Sequence, residues 1–290
     1  MRQNRQPGFE LRVAARANVS ANVSAGAGAG APTAAVFDPD AAAAPIVVLS
    51  EHYRQGEGPW HAHRRAQLIH ASEGVLTVRT ADGLWVVPPQ RGVWVLPGVA
   101  HQVNSSSGFQ LRALYAEPRT VSLPPRCCVV GISRLVGELL IAASDFGGNY
   151  PVSGPEARLM RVVVDRLPRL ELGSLHLPVP RDARMRRIAA LLNHDPADPR
   201  SIEALAAAVG CSGRTAARLF VAETGLTFAQ WRLQLRLLAA LDRLGRGQSV
   251  TATALDVGYG DTSSFIAVFR RAFGATPARY FAEGAAVIRR

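Results

Sequence analysis

From residue 46 to residue 115 the apolar positions fall in short β-rich runs: Ile46 to Leu49, Gln67 to His70, Val75 to Thr80, Leu84 to Val87, Val93 to Leu96, His101 to Val103 and Gln110 to Tyr115. Gly, Pro or polar residues punctuate the joints, and Asp82-Gly83 has the composition of a hairpin turn, so the pattern predicts a small β-barrel or sandwich. Beyond Pro124-Pro125 the period lengthens to that of a helix. Leu135, Val136, Leu139, Leu140 and Ala143 share one face over Ser133 to Asp145, and Leu159, Val162, Val163 and Leu167 do so over Pro155 to Leu167. These two helices read either as packing against the β-domain or as a dimerisation surface.

After a short linker at Pro178 to Arg181, Asp182 caps a helix and the pattern becomes wholly helical. Ser201 is a good N-cap, Ile202, Leu205, Ala206 and Val209 fall at i, i+3, i+4 and i+7, and Gly210 stops the run. A second helix follows the turn Gly210-Cys211-Ser212; it buries Ala216, Leu219 and Phe220 and leaves Gly213, Arg214, Ala217 and Arg218 outward. Helix, tight turn and helix make a helix-turn-helix unit. The arrangement recurs: Ser249 caps a helix ending at Gly258, and Asp261 caps another that buries Phe265, Val268, Phe269 and Ala272. Thr262, Ser263, Ser264 and Ala267 lie on the outer side of that helix, with Arg270 and Arg271 able to reach phosphates. Between the units, Thr227-Phe228-Ala229-Gln230 is a capping box opening a helix to about Leu244, roughly 27 Å at 1.5 Å per residue. Phe228, Trp231, Leu235 and Leu238 on that helix bind the units together. Arg232, Arg236 and Arg243 share its opposite face, a stripe that reads equally as a solvated surface or as phosphate contacts.

The run Trp231-Arg232-Leu233-Gln234-Leu235-Arg236-Leu237, the Gly258-Tyr259 turn, Ser264-Phe265-Ile266, Phe269-Arg270-Arg271 and the closing Gly274-Ala275-Thr276-Pro277-Ala278-Arg279-Tyr280 resemble the DNA-binding domain of the AraC/XylS family of bacterial transcription regulators. The resemblance covers about the last hundred residues. It implies seven helices, two of which read adjacent major grooves on one face of promoter DNA. By the same resemblance the base-reading positions fall on Gly213, Arg214, Ala217 and Arg218, and on Thr262, Ser263, Ser264 and Ala267. Glycine and alanine offer no side-chain hydrogen bond, so direct readout concentrates on Arg214 and Arg218, whose guanidinium groups suit guanine O6 and N7.

The net charge is +11, and every one of the 33 basic residues is arginine. An excess of +7 lies in residues 181–290, which fits a polyanion partner, although an arginine-only, alanine-rich composition also follows from a GC-rich genome. Cys127, Cys128 and Cys211 form neither a disulfide framework nor a metal-ligand spacing. They fit a reducing, cytoplasmic compartment, and no apolar run is long enough for a membrane helix.

Within the β-rich segment His61-Ala62-His63, then Gln67 and Gly74, and later Pro97-Gly98-Val99-Ala100-His101 followed by Asn104, resemble the two motifs of the cupin barrel. In that fold HxH, a glutamate and a later histidine hold a divalent metal, here Zn, Ni, Fe or Mn. Alternate residues of a strand point the same way, so His61 and His63 can face one site. Gln67 stands where the usual glutamate would be, removing a negative ligand. The set reads as a metal centre or, alternatively, as an effector pocket lined by neutral histidines with Trp60, Trp85 or Trp94 nearby. His52, His70, His176 and His194 lack such company.

These patterns give an α+β, two-domain chain: a disordered Ala/Gly-rich tail over 1–44, a cupin-like sensor barrel over 45–125, a helical hairpin for dimerisation and linkage over 126–180, and an all-α tandem helix-turn-helix domain over 181–290. The function they imply is a homodimeric transcription regulator, activator or repressor, that binds double-stranded promoter DNA and senses a small molecule or metal. The alternative, a cupin metalloenzyme with an accessory DNA-binding domain, is disfavoured by Gln67 and by the lack of an acid-base group beside the histidines. A third reading makes the barrel only a dimerisation scaffold.

Overall fold

The computed structural model describes residues 11–12, 37–53, 56–105, 108–122, 124, 126–167, 172–173 and 175–285. In chain order its strands are β1 (Leu11–Arg12), β2 (Ile46–Tyr53), β3 (Gly56–Glu57), β4 (Ala66–Glu73), β5 (Leu76–Thr80), β6 (Gly83–Val87), β7 (Arg91–Val95), β8 (His101–Ser105), β9 (Phe109–Ala116) and β10 (Cys128–Gly131). Two helices follow, α1 (Arg134–Ala143) and α2 (Pro155–Arg166), then β11 (Leu172–Gly173) and β12 (His176–Pro178). Each of the seven expected β runs is a strand.

The strands form two antiparallel sheets, ordered β1-β2-β9-β4-β7-β10-β11 and β12-β6-β5-β8-β3. Leu68, Val78, Val87, Val93 and Leu114 are among the side chains buried in the β-domain. Of β4, Ala66 to Ala71 are buried without alternation, as expected of a central strand covered on both faces. One source of cover is α1, which packs on β2 and β9 with Val136, Leu140 and Ala143 inward. Leu135 of α1 and Val162 of α2, which belong to the apolar faces read from the sequence, are exposed within the chain.

The β-domain takes in more chain than residues 45–125. Strand β10 pairs with β7, and β12 pairs with β6, so part of the segment expected to be helix and linker completes the sheets. Both runs are too short to show a period of their own, and their partners lie far away in sequence. The order also begins earlier than residue 45. Asp38 caps a short 3-10 turn over Pro39–Ala41, and Ala44 is fully buried. Most of the remaining 1–44 segment lies outside the described residues.

The C-terminal domain contains the seven helices implied by the resemblance: α3 (Ala183–His194), α4 (Ile202–Ala208), α5 (Gly213–Thr224), α6 (Phe228–Gly245), α7 (Val250–Asp256), α8 (Thr262–Phe273) and α9 (Pro277–Ala285). The side chains of Asp182, Ser201, Ser212, Thr227, Ser249 and Asp261 each accept a backbone N–H at the start of the next helix, and Thr227 with Gln230 completes the capping box. Such caps contribute about 1 kcal/mol each. Gly210 and Gly258 close the two helix-turn-helix turns at φ +79° and +83°, a region open to glycine without strain. Trp231 is buried edge-on to Phe220 at the heart of the first unit, and Phe265 and Phe269 fill the second.

Helix α6 also touches the β-domain. It lies against β6 and β12, and a side chain on Gly245 would overlap Val75. Gln234 donates to the His176 carbonyl and Gln90 to the Tyr280 carbonyl, so polar contacts join the domains at both edges.

Candidate functional site

The candidate DNA-reading surface is built by α5 and α8. On α5, Arg214, Ala217 and Arg218 are exposed while Ala216 and Phe220 are buried, which leaves two guanidinium groups one turn apart on the outer face. Gly213 is half-buried against α4, where a Cβ would meet the Glu203 Cγ at 2.9 Å; a side chain there would force the two helices apart. On α8, Ser263, Ser264, Ala267, Arg270 and Arg271 are exposed and Thr262 is half-buried. The Ser264 hydroxyl donates to Asp261 Oδ2 at 2.7 Å, and its N–H bonds the other carboxylate oxygen at 2.8 Å. Ser264 is thereby occupied in capping. The second unit offers short hydroxyls beside a carboxylate, held below its usual pKa by those Ser264 bonds, whereas the first offers two arginines.

The arginine stripe of α6 is neither free surface nor spare charge. Arg236 Nε donates to the Pro196 carbonyl at 3.0 Å and Nη1 to the Gly258 carbonyl at 3.4 Å, linking the α3–α4 loop to the turn of the second unit. Arg232 donates to the Arg200 carbonyl at 2.6 Å and lies over the Phe228 ring at 4.6 Å. Arg243 donates to the Ala239 carbonyl. The arginine stripe was legible along this helix, but the carbonyls that engage Arg232 and Arg236 come from loops placed only by the fold.

The second constellation lies in the β-domain. His61 and His101 exchange both backbone hydrogen bonds, at 3.0 and 2.9 Å, and the Gly98 N–H bonds the His63 carbonyl at 2.8 Å. Gly98 turns at φ +75°, which lets the chain swing from β7 into β8 and bring His101 back to the HxH segment. The result is a cluster in which one ligand nitrogen from each of His61, His63 and His101 lies within 4.8 Å of the others.

The tautomers follow from the partners. His61 Nδ1 lies 3.0 Å from the Pro59 carbonyl and His101 Nδ1 3.0 Å from the Val99 carbonyl. A carbonyl only accepts, so both Nδ1 atoms carry the proton and both Nε2 atoms keep a lone pair. The Nε2 atoms of His63 and His101 are buried without a hydrogen-bond partner. Burial, aided by the neighbouring histidines, lowers the pKa of His101 to about 4. Burial and the charge of His61 also lower that of His63, so these rings favour the neutral, coordinating form at neutral pH.

Gln67, on β4, donates through Nε2 to the Tyr115 hydroxyl at 2.8 Å, and the Tyr115 ring stands edge-on to His63 with centroids 5.0 Å apart. Its Oε1 is buried with no partner. Two contributors were missed by sequence reasoning. Tyr115 is one, and cross-strand pairing with Gln67 is the signal that would have found it. Asp40, assigned to the tail, is the other: its two oxygens accept the Arg64 and Arg65 N–H groups at 2.8 and 3.1 Å, fixing the backbone directly after His63. Trp85 and Trp94 are core residues, Trp85 stacked on His176, and Trp60 is exposed. His70 is buried and bonded to the Arg91 carbonyl.

The donor set passes an elementary test for a metal. Nitrogens at Zn–N bonds of about 2.0–2.1 Å with tetrahedral angles lie roughly 3.3 Å apart, so a contraction of at most about 1.5 Å from the 4.8 Å limit of the cluster would seat one. Two rings already have the carbonyl hydrogen bonds that orient metal-bound histidines.

Comparison with known proteins recognises both domains. Residues 205–283 match the family model of a helix-turn-helix domain, and residues 44–123 that of an AraC-like ligand binding domain. The chain is 36% identical over 249 residues to the HTH-type transcriptional regulator NimR of Escherichia coli, covering 85% of this chain and 91% of that protein. It is 38% identical over 122 residues to the HTH-type transcriptional regulator RipA of Corynebacterium glutamicum, covering 42% of this chain and 35% of that one. Among solved structures, ToxT from Vibrio cholerae aligns over 82% of this chain and 98% of its own, at 9% identity and a TM-score of 0.36. Among the described residues no helix is long and apolar enough to cross a membrane. The relatives are regulators and not enzymes, and by its two matched domains and its likeness to NimR along most of both chains, this chain belongs to the AraC family of transcriptional regulators.

Proposed function

We propose that this regulator reads DNA mainly through Arg214 and Arg218 and that its β-domain responds to a divalent metal held by His61, His63 and His101, with Gln67 Oε1 as a neutral fourth donor. One observation carries the metal reading: one nitrogen from each of His61, His63 and His101 lies within 4.8 Å of the others, the Nε2 atoms of His63 and His101 are buried without a partner, and the Nδ1 atoms of His61 and His101 are bonded to carbonyls. These rings turn acceptors inward, which suits a cation; an organic effector would have to bring the hydrogen-bond donors itself. Imidazole ligands suit Zn, Ni or Fe, and Mn less well. A shell of neutral ligands leaves the charge of the cation uncompensated, so an anion or hydroxide is favoured at any open position. The regulator acts as a homodimer, with exposed Leu135 and Ile141 on α1 and Val162 on α2 as the apolar surface that supports pairing.

The test is elemental analysis of protein purified without an affinity tag, followed by calorimetric titration with Zn, Ni, Fe and Mn. Wild type should bind one metal per chain, and His63→Ala at least tenfold more weakly. If both are metal-free and indifferent to added cations, the metal reading is wrong. For the dimer, sedimentation should give twice the chain mass for wild type and the monomer mass for a Leu135→Glu, Val162→Glu variant.

A further inference from the structure

A cavity of about 310 Å³ lies between α2 and the start of β2, and it shares no lining residue with the histidine cluster or with the DNA-binding domain. Its volume sits at the small end of the roughly 300–1,000 Å³ range of ligand pockets. Ala157, Met160 and Val164 recur at i, i+3 and i+7, so one face of α2 is a wall, and Ile46 of β2 lines the cavity as well. Met160 and Ile46 are buried, which makes the floor apolar.

The polar groups of the lining are of two kinds. Arg161 and Asp165, each one residue further along α2 than Met160 and Val164, are exposed. The cation precedes the anion by four residues, the less favourable order for a helical pair, and among the described residues neither has an ion-pair partner. The others are hydroxyls. Tyr150 donates to the Ile46 carbonyl at 2.5 Å and Thr120 to the Glu117 carbonyl at 2.7 Å. A carbonyl only accepts, so both protons are committed and both oxygens have only lone pairs left to offer a ligand. Arg65, whose charge reaches Tyr150, is engaged by the Ala42 and Ala44 carbonyls and by Glu117. The cavity therefore offers three acceptor groups, the two hydroxyl oxygens and the Asp165 carboxylate, beside one cationic donor, Arg161.

We propose that this cavity binds a small zwitterion, an α-amino acid with an aromatic or branched apolar side chain. Its ammonium engages Asp165 and the Tyr150 and Thr120 oxygens, its carboxylate engages Arg161, and its side chain lies along Ile46, Met160 and Val164. A ligand of the same shape carrying one charge leaves either Arg161 or Asp165 without its partner. Helix α2 also carries Val162 of the proposed pairing surface, a route by which occupancy would bear on dimer formation. Binding itself rests neither on the dimer nor on metal at the histidines.

The experiment is calorimetry on the full chain with L-phenylalanine and L-leucine as probes. The controls are 2-phenylethylamine, which lacks the carboxylate, and 3-phenylpropionate, which lacks the ammonium. Wild type is expected to bind one amino acid per chain, L-phenylalanine at least tenfold more tightly than either control. Arg161→Ala should weaken L-phenylalanine at least fivefold and leave 2-phenylethylamine within twofold. Asp165→Asn should weaken L-phenylalanine by as much and leave 3-phenylpropionate within twofold. Both positions are exposed, so the fold is kept. Ala157→Phe, which fills the cavity from the helix side, should abolish binding. His63→Ala should bind as wild type does; loss of binding there would put the amino acid at the histidine cluster and overturn the proposal. Absence of binding of both probes to wild type at millimolar concentration, or equal affinity in wild type, Arg161→Ala and Asp165→Asn, would overturn it as well.

Discussion

Trp231 Nε1 donates to the Pro178 carbonyl at 2.8 Å, and Pro178 pairs across the sheet with Gly83. On the other side of the Ala81-Asp82 turn stands Thr80, whose cross-strand partner is His101. One row of neighbours thus runs from the histidine cluster across the five-stranded sheet to the helix that holds both helix-turn-helix units. Trp231→Phe keeps an aromatic ring and removes the N–H. It should destabilise the chain by about 1–2 kcal/mol. Metal affinity should stay within twofold of wild type while the response of DNA binding to metal falls. A fluorescence-anisotropy titration of labelled DNA with and without metal checks this; an unchanged response would mean the row carries no coupling.

The two recognition helices should contribute unequally. Arg214→Ala or Arg218→Ala should each cost about 1–3 kcal/mol on the best site and relax preference at one base pair. Ser263→Ala should cost less, and Ser264→Ala should lower stability through its lost bond to Asp261 more than it lowers base preference. Binding selections on randomised DNA would show this directly, and equal losses of preference for Arg214→Ala, Arg218→Ala and Ser263→Ala would contradict it.

Arg236 should behave as a strut. With its donors on the Pro196 and Gly258 carbonyls, Arg236→Ala should cost on the order of 1–3 kcal/mol of stability. The slope of log affinity against log salt should stay as in wild type, since no phosphate contact is lost. A slope smaller by about one, with stability unchanged, would place Arg236 on the DNA backbone.

His70 makes stability depend on pH. Burial lowers its pKa from 6.5 to about 4, so the unfolded chain takes up the proton first as the solution is acidified. Its contribution is complete above pH 6.5 and is lost progressively from there down to about pH 4. His70→Gln retains a side-chain donor for the Arg91 carbonyl and does not titrate. Denaturant melts between pH 7 and 4 should show a shallower loss for that variant, and parallel curves would refute the assignment.

What was legible in the sequence were features carried by local pattern. Ser201, Thr227, Ser249 and Asp261 were readable as caps because a cap acts within three residues of itself, and the seven β runs because Gly and Pro bound them. His61, His63 and His101 were readable together only through their resemblance to the cupin motifs; the HxH segment is not a strand but is tied to β8 by the His61–His101 bridge. Long-range pairing was not legible. Strand β12 looked like linker because its partner β6 lies some ninety residues earlier, and Asp40 looked like tail because its partners are main-chain N–H groups, which any sequence supplies. Arg232 and Arg236 were read as solvated or phosphate-binding for the same reason: their acceptors are carbonyls of loops positioned by the fold.

The central claim is that occupancy of the histidine cluster changes how the chain binds DNA. Its most direct test is the affinity of the full-length protein for its best selected DNA site, measured at fixed salt after removal of metal and again with a stoichiometric divalent cation, for wild type and His63→Ala. The account predicts at least a fivefold change for wild type and none for His63→Ala, with equal affinities for the two metal-free proteins. Identical wild-type affinities with and without bound metal would contradict it.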